Sequence, residues 1–112
     1  MDKDCIFCRI IAGELPAEKV YEDGDMLAIK DVKPAAPQHV LMLPKKHSAN
    51  ILETDGQTIA GMFAKLSGIV DALGIKNSGF RIVINTGEEG GQTVNHTHIH
   101  VLGGRGLKWP PG

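Results

Sequence analysis

Three histidines on alternate residues, His96-Thr97-His98-Ile99-His100, are the residues of this chain whose types and spacing speak most directly of chemistry. Side chains alternate between faces along a β-strand, so His96, His98 and His100 point the same way if the segment is extended. A half-buried strand ordinarily places Val, Ile or Leu on its core-facing row. Three imidazoles, roughly 6–7 Å apart at strand spacing, offer nucleophiles, proton donors and metal ligands instead. A solvent-facing polar row is the plain alternative, but such rows rarely repeat one ionisable type.

Two further segments bear on that chemistry. Just before the histidines runs Asn85-Thr86-Gly87-Glu88-Glu89-Gly90-Gly91-Gln92-Thr93, whose glycines permit backbone conformations that turn successive N–H groups inward around an anion. Such a loop beside imidazoles points to a phosphate ester or amide. At the other end, Cys5-Ile6-Phe7-Cys8 holds both cysteines of the chain. In a reducing compartment a C-x-x-C pair is more often a metal half-site or a redox pair than a structural disulfide; a pair of metal-free buried thiols stays open too, and the pair alone does not choose.

The elements that must position these groups read as one α+β unit spanning residues 1–112, without linker or internal repeat. Ile6 to Ala12 forms a short helix stopped by Gly13. Lys19 to Glu22 and Met26 to Lys30 are strands joined by the Asp23-Gly24-Asp25 turn, and His39 to Leu43 is a third strand stopped by Pro44. A long helix follows, with Thr54 or Asp55 as its N-cap, Gly74 as its stop, and Ile59, Met62, Phe63, Leu66, Ile69, Val70 and Leu73 as its core stripe. Phe80 to Asn85 and His96 to Leu102 complete an antiparallel sheet of about five strands with the helix on one face.

Composition excludes several classes. The 112 residues are 42% hydrophobic, with one Trp, one Tyr and three Phe, enough for one domain burying roughly 60–70% of its unfolded surface. Lys and Arg number 12 against 13 Asp and Glu, a formal charge of −1, so there is no basic excess for nucleic acid or an anionic membrane. No apolar run approaches the roughly 20 residues of a membrane span. Met1-Asp2-Lys3-Asp4 lacks the layout of a signal peptide, and a cytoplasmic address is expected.

The segment from Gly90 through His96-Thr97-His98-Ile99-His100-Val101-Leu102-Gly103-Gly104-Arg105, with the ending Trp109-Pro110-Pro111-Gly112, resembles the histidine triad (HIT) superfamily. It is most similar to the histidine-triad nucleotide-binding branch of nucleoside phosphoramidases, over nearly the whole chain from Cys5. Ile6-Phe7, Asp31, Pro37-Gln38-His39 and Pro44-Lys45-Lys46-His47 stand in register with it.

The resemblance implies a HIT-like fold and a substrate in which AMP, or another purine nucleotide, is joined through its α-phosphate to an amine. His98 would attack phosphorus and form a nucleotidyl-histidine that water hydrolyses, dividing one displacement into two. A fixed hydrogen bond would be needed to keep its attacking nitrogen bare. His100 and the backbone N–H groups of Gly91, Gln92 and Thr93 would stabilise the phosphoryl oxygens. Thr93 would help protonate the leaving amine, and Asn85 would contact the phosphate. Ile6, Phe7, Ile10, Leu15, Ile29 and Val32 match the apolar base pocket, which selects weakly among purines. Asp31 matches a ribose contact, although alone it reads as a turn residue before Pro34.

Some bacterial members of the superfamily bind zinc with a cysteine pair of this kind. On that pattern Cys5, Cys8, His47 and His96 form a closed structural Cys2His2 site, one zinc per chain, and His39 supports the site without holding metal. The resemblance also implies a homodimer, with Trp109 and the Pro-rich tail reaching toward the partner's site. Two other readings stay open: a dinucleoside polyphosphate hydrolase or nucleotidyl transferase of the same superfamily, and a nucleotide-binding scaffold with incidental turnover.

Overall fold

The computed structural model describes residues 3–112; Met1 and Asp2, the start of the stretch read above for targeting, lie outside the described residues. A short helix α1 (Ile6–Ile11) is followed by strands β1 (Lys19–Glu22), β2 (Met26–Lys30) and β3 (Gln38–Pro44), then helices α2 (Gly56–Ala64) and α3 (Leu66–Ala72), and strands β4 (Phe80–Val83) and β5 (Ile99–Gly103). The sheet is antiparallel throughout, in the order β1-β2-β3-β5-β4. Among the described residues no helix is long and apolar enough to cross a membrane.

Alternation along the central strands divides the interior in two. Met26, Ala28, Val40, Met42, Ile99 and Val101 face Met62, Ile69 and Val70 of the helices. Leu27, Ile29, Leu41 and Leu43 face the other way, onto Phe7, Cys8 and Ile10 of α1. β2 and β3 are therefore apolar at nearly every position, because both of their faces are covered. His39 belongs by alternation to the α1 face, and His100, paired with Leu41, does too.

The long helix is one bent helix: α2 ends where the Lys65 N–H donates to Met62 O at 3.1 Å, and α3 resumes with Ile69 N–H donating to Lys65 O at 3.2 Å. Asp55, not Thr54, caps it by accepting from the Gln57 N–H. Phe63, expected in the core stripe, is exposed at the bend. Gly74 stops the helix at φ +74°, a conformation that glycine adopts without penalty.

The last strand departs from expectation. β5 begins at Ile99, so His96 and His98 precede the ladder. Pro44, which ends β3, has no N–H to offer across the sheet. The segment is held from the side instead, by Thr97 N–H donating to Ser48 O at 2.8 Å. The Thr97 hydroxyl joins those of Ser48 and Thr54, at 3.1 and 2.7 Å, in a buried cluster on the opposite side from the imidazoles. That cluster explains why Thr54 is not the cap.

Candidate functional site

His98 occupies the middle of a row of imidazoles and is only 5% exposed. Its Nδ1 lies 2.7 Å from the carbonyl oxygen of His96. A carbonyl can only accept, so Nδ1 carries the proton and Nε2 of the neutral ring is left with a bare lone pair. The Phe7 ring meets that of His98 edge-on with centroids 5.1 Å apart. On its other side the His100 ring lies at 5.1 Å.

A second pair sits beside it. The Ala35 N–H donates to His39 Nδ1 at 3.0 Å, so the proton of neutral His39 is on Nε2. That Nε2 is 2.9 Å from His100 Nδ1, which must then accept, leaving the His100 proton on Nε2. Two hydrogen bonds thus run in one direction and present the His100 Nε2–H at the far end. Burial, with the neighbouring His98 and His39 adding to it, pushes His100 down to about 4; Asp31 opposes the shift. Burial lowers His39 as well, against the same carboxylate. Both rings are neutral near pH 7, so the 3.4 Å approach of Asp31 Oδ2 to His39 Nε2 is a weak contact beside the shorter bond to His100. Asp31 Oδ1 accepts from the Lys33 N–H at 2.8 Å, the turn role read from sequence.

The loop that turns Ala35 toward His39 is held by residues that carry no chemistry themselves. Arg105 Nη2 donates to Ala35 O at 2.8 Å. At Gly104 φ is +91° and a Cβ would stand 2.9 Å from Pro37 Cβ, so the Gly-Gly-Arg turn after β5 lets this loop lie close. In the sequence Gly103-Gly104-Arg105 is only part of the segment that carries the resemblance; the signal for its structural part is the paired glycines.

The glycine loop is a correction in part. Gly91 N–H donates to Glu88 O and Gln92 N–H to Gly87 O, both at 3.0 Å, so the expected phosphate donors at these two residues close turns within the loop. The Gln92 side chain is likewise engaged: its amide donates to Ala49 O at 2.6 Å and Val94 O at 3.0 Å and accepts from Gly87 N–H at 3.1 Å. Gln92 is a pin for the loop. Gly90 has a Cβ position that would collide with the Thr86 carbonyl, so no other residue fits. Thr93 is exposed, and its N–H makes no hydrogen bond among the described residues.

Cys5, Cys8, His47 and His96 meet on the other side of Phe7. Their ligand atoms all lie within 4.8 Å of one another, close enough to hold a metal ion. Cys5 Sγ and Cys8 Sγ are 3.4 and 3.6 Å from His96 Nδ1, Cys8 Sγ is 3.3 Å from His47 Nδ1, and the two Nδ1 atoms are 3.1 Å apart. A tetrahedral ion with bonds near 2.0 Å to nitrogen and 2.3 Å to sulfur separates its donors by roughly 3.3–3.8 Å. His96 Nε2 donates to Pro44 O at 2.8 Å, which leaves Nδ1 bare and facing both sulfurs. Burial raises the Cys5 thiol and lowers His96. Neutral imidazoles suit a ligand set, and a divalent cation supplies the charge that would make the buried thiols thiolates. The residues fit the ion.

Of the six residues matched to an apolar pocket, Phe7, Ile10, Ile29 and Leu15 pack in one cluster with the cysteines. Ile6 and Val32 are not in it; they are 47% and 92% exposed. Asn85 follows β4 half-buried, and Trp109 lies exposed in the tail, which Arg81 Nη2 holds through Lys108 O at 3.1 Å. A hollow of about 550 Å³ lined by Lys45, Lys46, Lys65 and Asp23 shares no residue with the imidazoles.

A family model described as HIT domain matches residues 12–107. The chain is 49% identical over 114 residues to an uncharacterised HIT-like protein of Synechococcus elongatus, with the whole of both chains covered. It is 47% identical over 103 residues to Protein HitA of Neisseria gonorrhoeae, covering 89% of this chain and 95% of that one. Its structure superposes on that of a HIT family hydrolase from Legionella pneumophila with a TM-score of 0.93 and 42% identity, over 96% of this chain and 99% of the other. With imidazoles, sheet and relatives in agreement, the chain belongs to the HIT domain family.

Proposed function

We propose that this chain is a purine nucleotide hydrolase that cleaves the P–N bond between a nucleoside 5′-phosphate and an amine. One observation carries the reading: the 2.7 Å bond from His98 Nδ1–H to His96 O, which fixes a bare Nε2 as nucleophile. His98 Nε2 attacks phosphorus, the P–N electron pair departs with the amine, and the Thr93 hydroxyl gives its proton to that nitrogen and takes one from the solvent it faces. His100 Nε2–H donates to a phosphoryl oxygen as its charge rises, and the Thr93 N–H would do the same. Water then attacks phosphorus, and the P–N bond to His98 breaks to return nucleoside monophosphate and the free ring. Ile6, Phe7, Ile10, Leu15, Ile29 and Val32 would hold the base, Asp31 the ribose, and Asn85, Gly91 and Gln92 the walls of the phosphate site. Weak selection by apolar contacts makes AMP and its phosphoramidates the first substrates to try.

Zinc is the metal we assign to Cys5, Cys8, His47 and His96, in a structural part, because two thiolates and two imidazoles fill its four positions. The same reading makes residues 1–112 one cytoplasmic HIT domain that works as a homodimer, with Trp109 near the partner's site. The test is hydrolysis of an adenosine phosphoramidate by wild type and His98→Ala on zinc-analysed protein. A loss of at least about a thousandfold in kcat, AMP binding retained, and an adenylylated His98 found by mass spectrometry in quenched wild type are expected. No turnover in folded, zinc-loaded wild type sinks the reading. Faster turnover of a diadenosine polyphosphate would replace it with the dinucleotide one.

A further inference from the structure

We infer that the metal-binding turn is a positioning device for the nucleophile: it holds His98 from two sides, so that metal binding sets which nitrogen of that ring is bare. The inference rests on the reading of His98 as nucleophile and adds a control on it. The first link is through the chain. His96 is anchored at both ring nitrogens, by Pro44 O at Nε2 and by the cluster at Nδ1, and its own carbonyl receives the His98 Nδ1–H. The second link is through Phe7, which lies between the two cysteines in sequence. Cys5 Sγ accepts from the Cys8 N–H at 3.3 Å, closing the turn that aims this ring. Phe7 meets His96 at 5.9 Å and His98 at 5.1 Å, edge-on to both. Since β5 begins only at Ile99, no sheet hydrogen bond fixes the His96–His98 backbone directly. Its other anchor is Ser48, which is next to the ligand His47. The two contacts that orient the His98 ring most directly, the His96 carbonyl and the Phe7 edge, therefore run through a metal ligand or the residue beside one, while the Thr97 hydroxyl on Thr54 and the ladder from Ile99 hold the backbone without the metal.

The experiment is ¹⁵N NMR of the histidine rings in the full chain loaded with Zn(II), and again after chelation, at a pH where His98 is neutral, with far-UV circular dichroism as a check on folding. In the loaded protein His98 is expected as a single Nδ1–H tautomer. After chelation a tautomer mixture is expected, with kcat lower on the order of 10–100-fold and KM changed much less. Restoring Zn(II) should restore both. A single, unchanged tautomer and unchanged kcat in folded, metal-free protein overturns the inference. Should chelation unfold the chain, exchange of Zn(II) for the larger Cd(II) takes its place. Longer bonds to sulfur should then move the His98 ring resonances and kcat together, and identical values in both metal forms overturn the inference. Failure of the functional reading is separate: it shows as no adenylylated His98 in the loaded wild type, whatever the tautomer.

Discussion

Two histidine pairs flank His98, and one backbone atom decides what each can do. In the His47–His96 pair, the outer nitrogen of His96 meets a carbonyl, Pro44 O, so the proton is drawn outward and a lone pair faces the cluster. In the His39–His100 pair, the outer nitrogen of His39 meets an N–H, that of Ala35, so the lone pair is drawn outward and a proton faces the partner ring. Both groups gather within metal-binding distance; Asp31, His39 and His100 do so as well as the cysteine set. In the first the bare His96 Nδ1 faces both sulfurs, whereas in the second a ring N–H, that of His39 Nε2, stands between the partners. A cation between His39 and His100 would meet the His39 Nε2–H, and moving that proton to Nδ1 would set it against the Ala35 N–H. Residue type brings histidines together, and the polarity of a single peptide group then makes one pair a ligand set and the other a proton-directing pair.

The contrast can be broken most severely at the cysteines. Cys8→Ser should abolish stoichiometric zinc and lower stability by about 4 kcal/mol or more, the linkage expected for a metal present at a thousand times its Kd. Metal analysis and urea unfolding check this, and a variant that unfolds like wild type removes the metal from the structural account. Next in size is His39→Leu, which leaves His100 without its donor and frees it to take the other tautomer. A kcat loss of about 10–100-fold with zinc content unchanged is expected. Loss of zinc along with activity would show that the two pairs are not separate.

A further effect concerns pH. The His100 pKa is about 4 in the folded chain against about 6.5 when unfolded. Between these values the unfolded chain binds more protons, so stability rises with pH through the window and is lost as pH falls from about 6.5 toward 4. Above the window the contribution is complete. His100→Gln should therefore unfold with a shallower dependence on pH between those limits than wild type, and equal slopes would remove the desolvated ring from the account. Weakest of all is Arg105→Ala. It deletes one exposed hydrogen bond to Ala35, so a kcat decrease of about twofold to fivefold, worth roughly 0.5–1 kcal/mol, is expected, with no change in zinc.

Much of the frame was legible because it depends on local pattern. β1 and β2 stand where the Asp23-Gly24-Asp25 turn and its flanking apolar residues put them, and Gly13 and Gly74 end their helices. Boundaries were less legible where partners decide them. β3 starts one residue early because Gln38 finds Gly103 across the sheet, and β5 starts three residues late because its neighbour ends in a proline. Phe63 follows helical spacing, yet the bend at Lys65 turns it out. At the site, the alternation of His96, His98 and His100 announced the chemistry, while nothing in the glycines revealed that Gly91 and Gln92 spend their N–H groups inside their own loop.

The sequence by itself determined which atoms are available: three alternating imidazoles, two thiols three residues apart, and a glycine loop leading into them. Composition and periodicity likewise set an antiparallel sheet with the long helix on one face, because the alternation of side chains is a property of extended backbone. The tertiary structure decided the states of those atoms. Whether an imidazole nitrogen carries a proton depends on the group opposite it, and Pro44 O, His96 O and the Ala35 N–H are backbone atoms that every residue possesses and no residue type advertises. Only the folded chain, by bringing Pro44 to His96 and Ala35 to His39, separates a ligand set from a nucleophile and its proton donor.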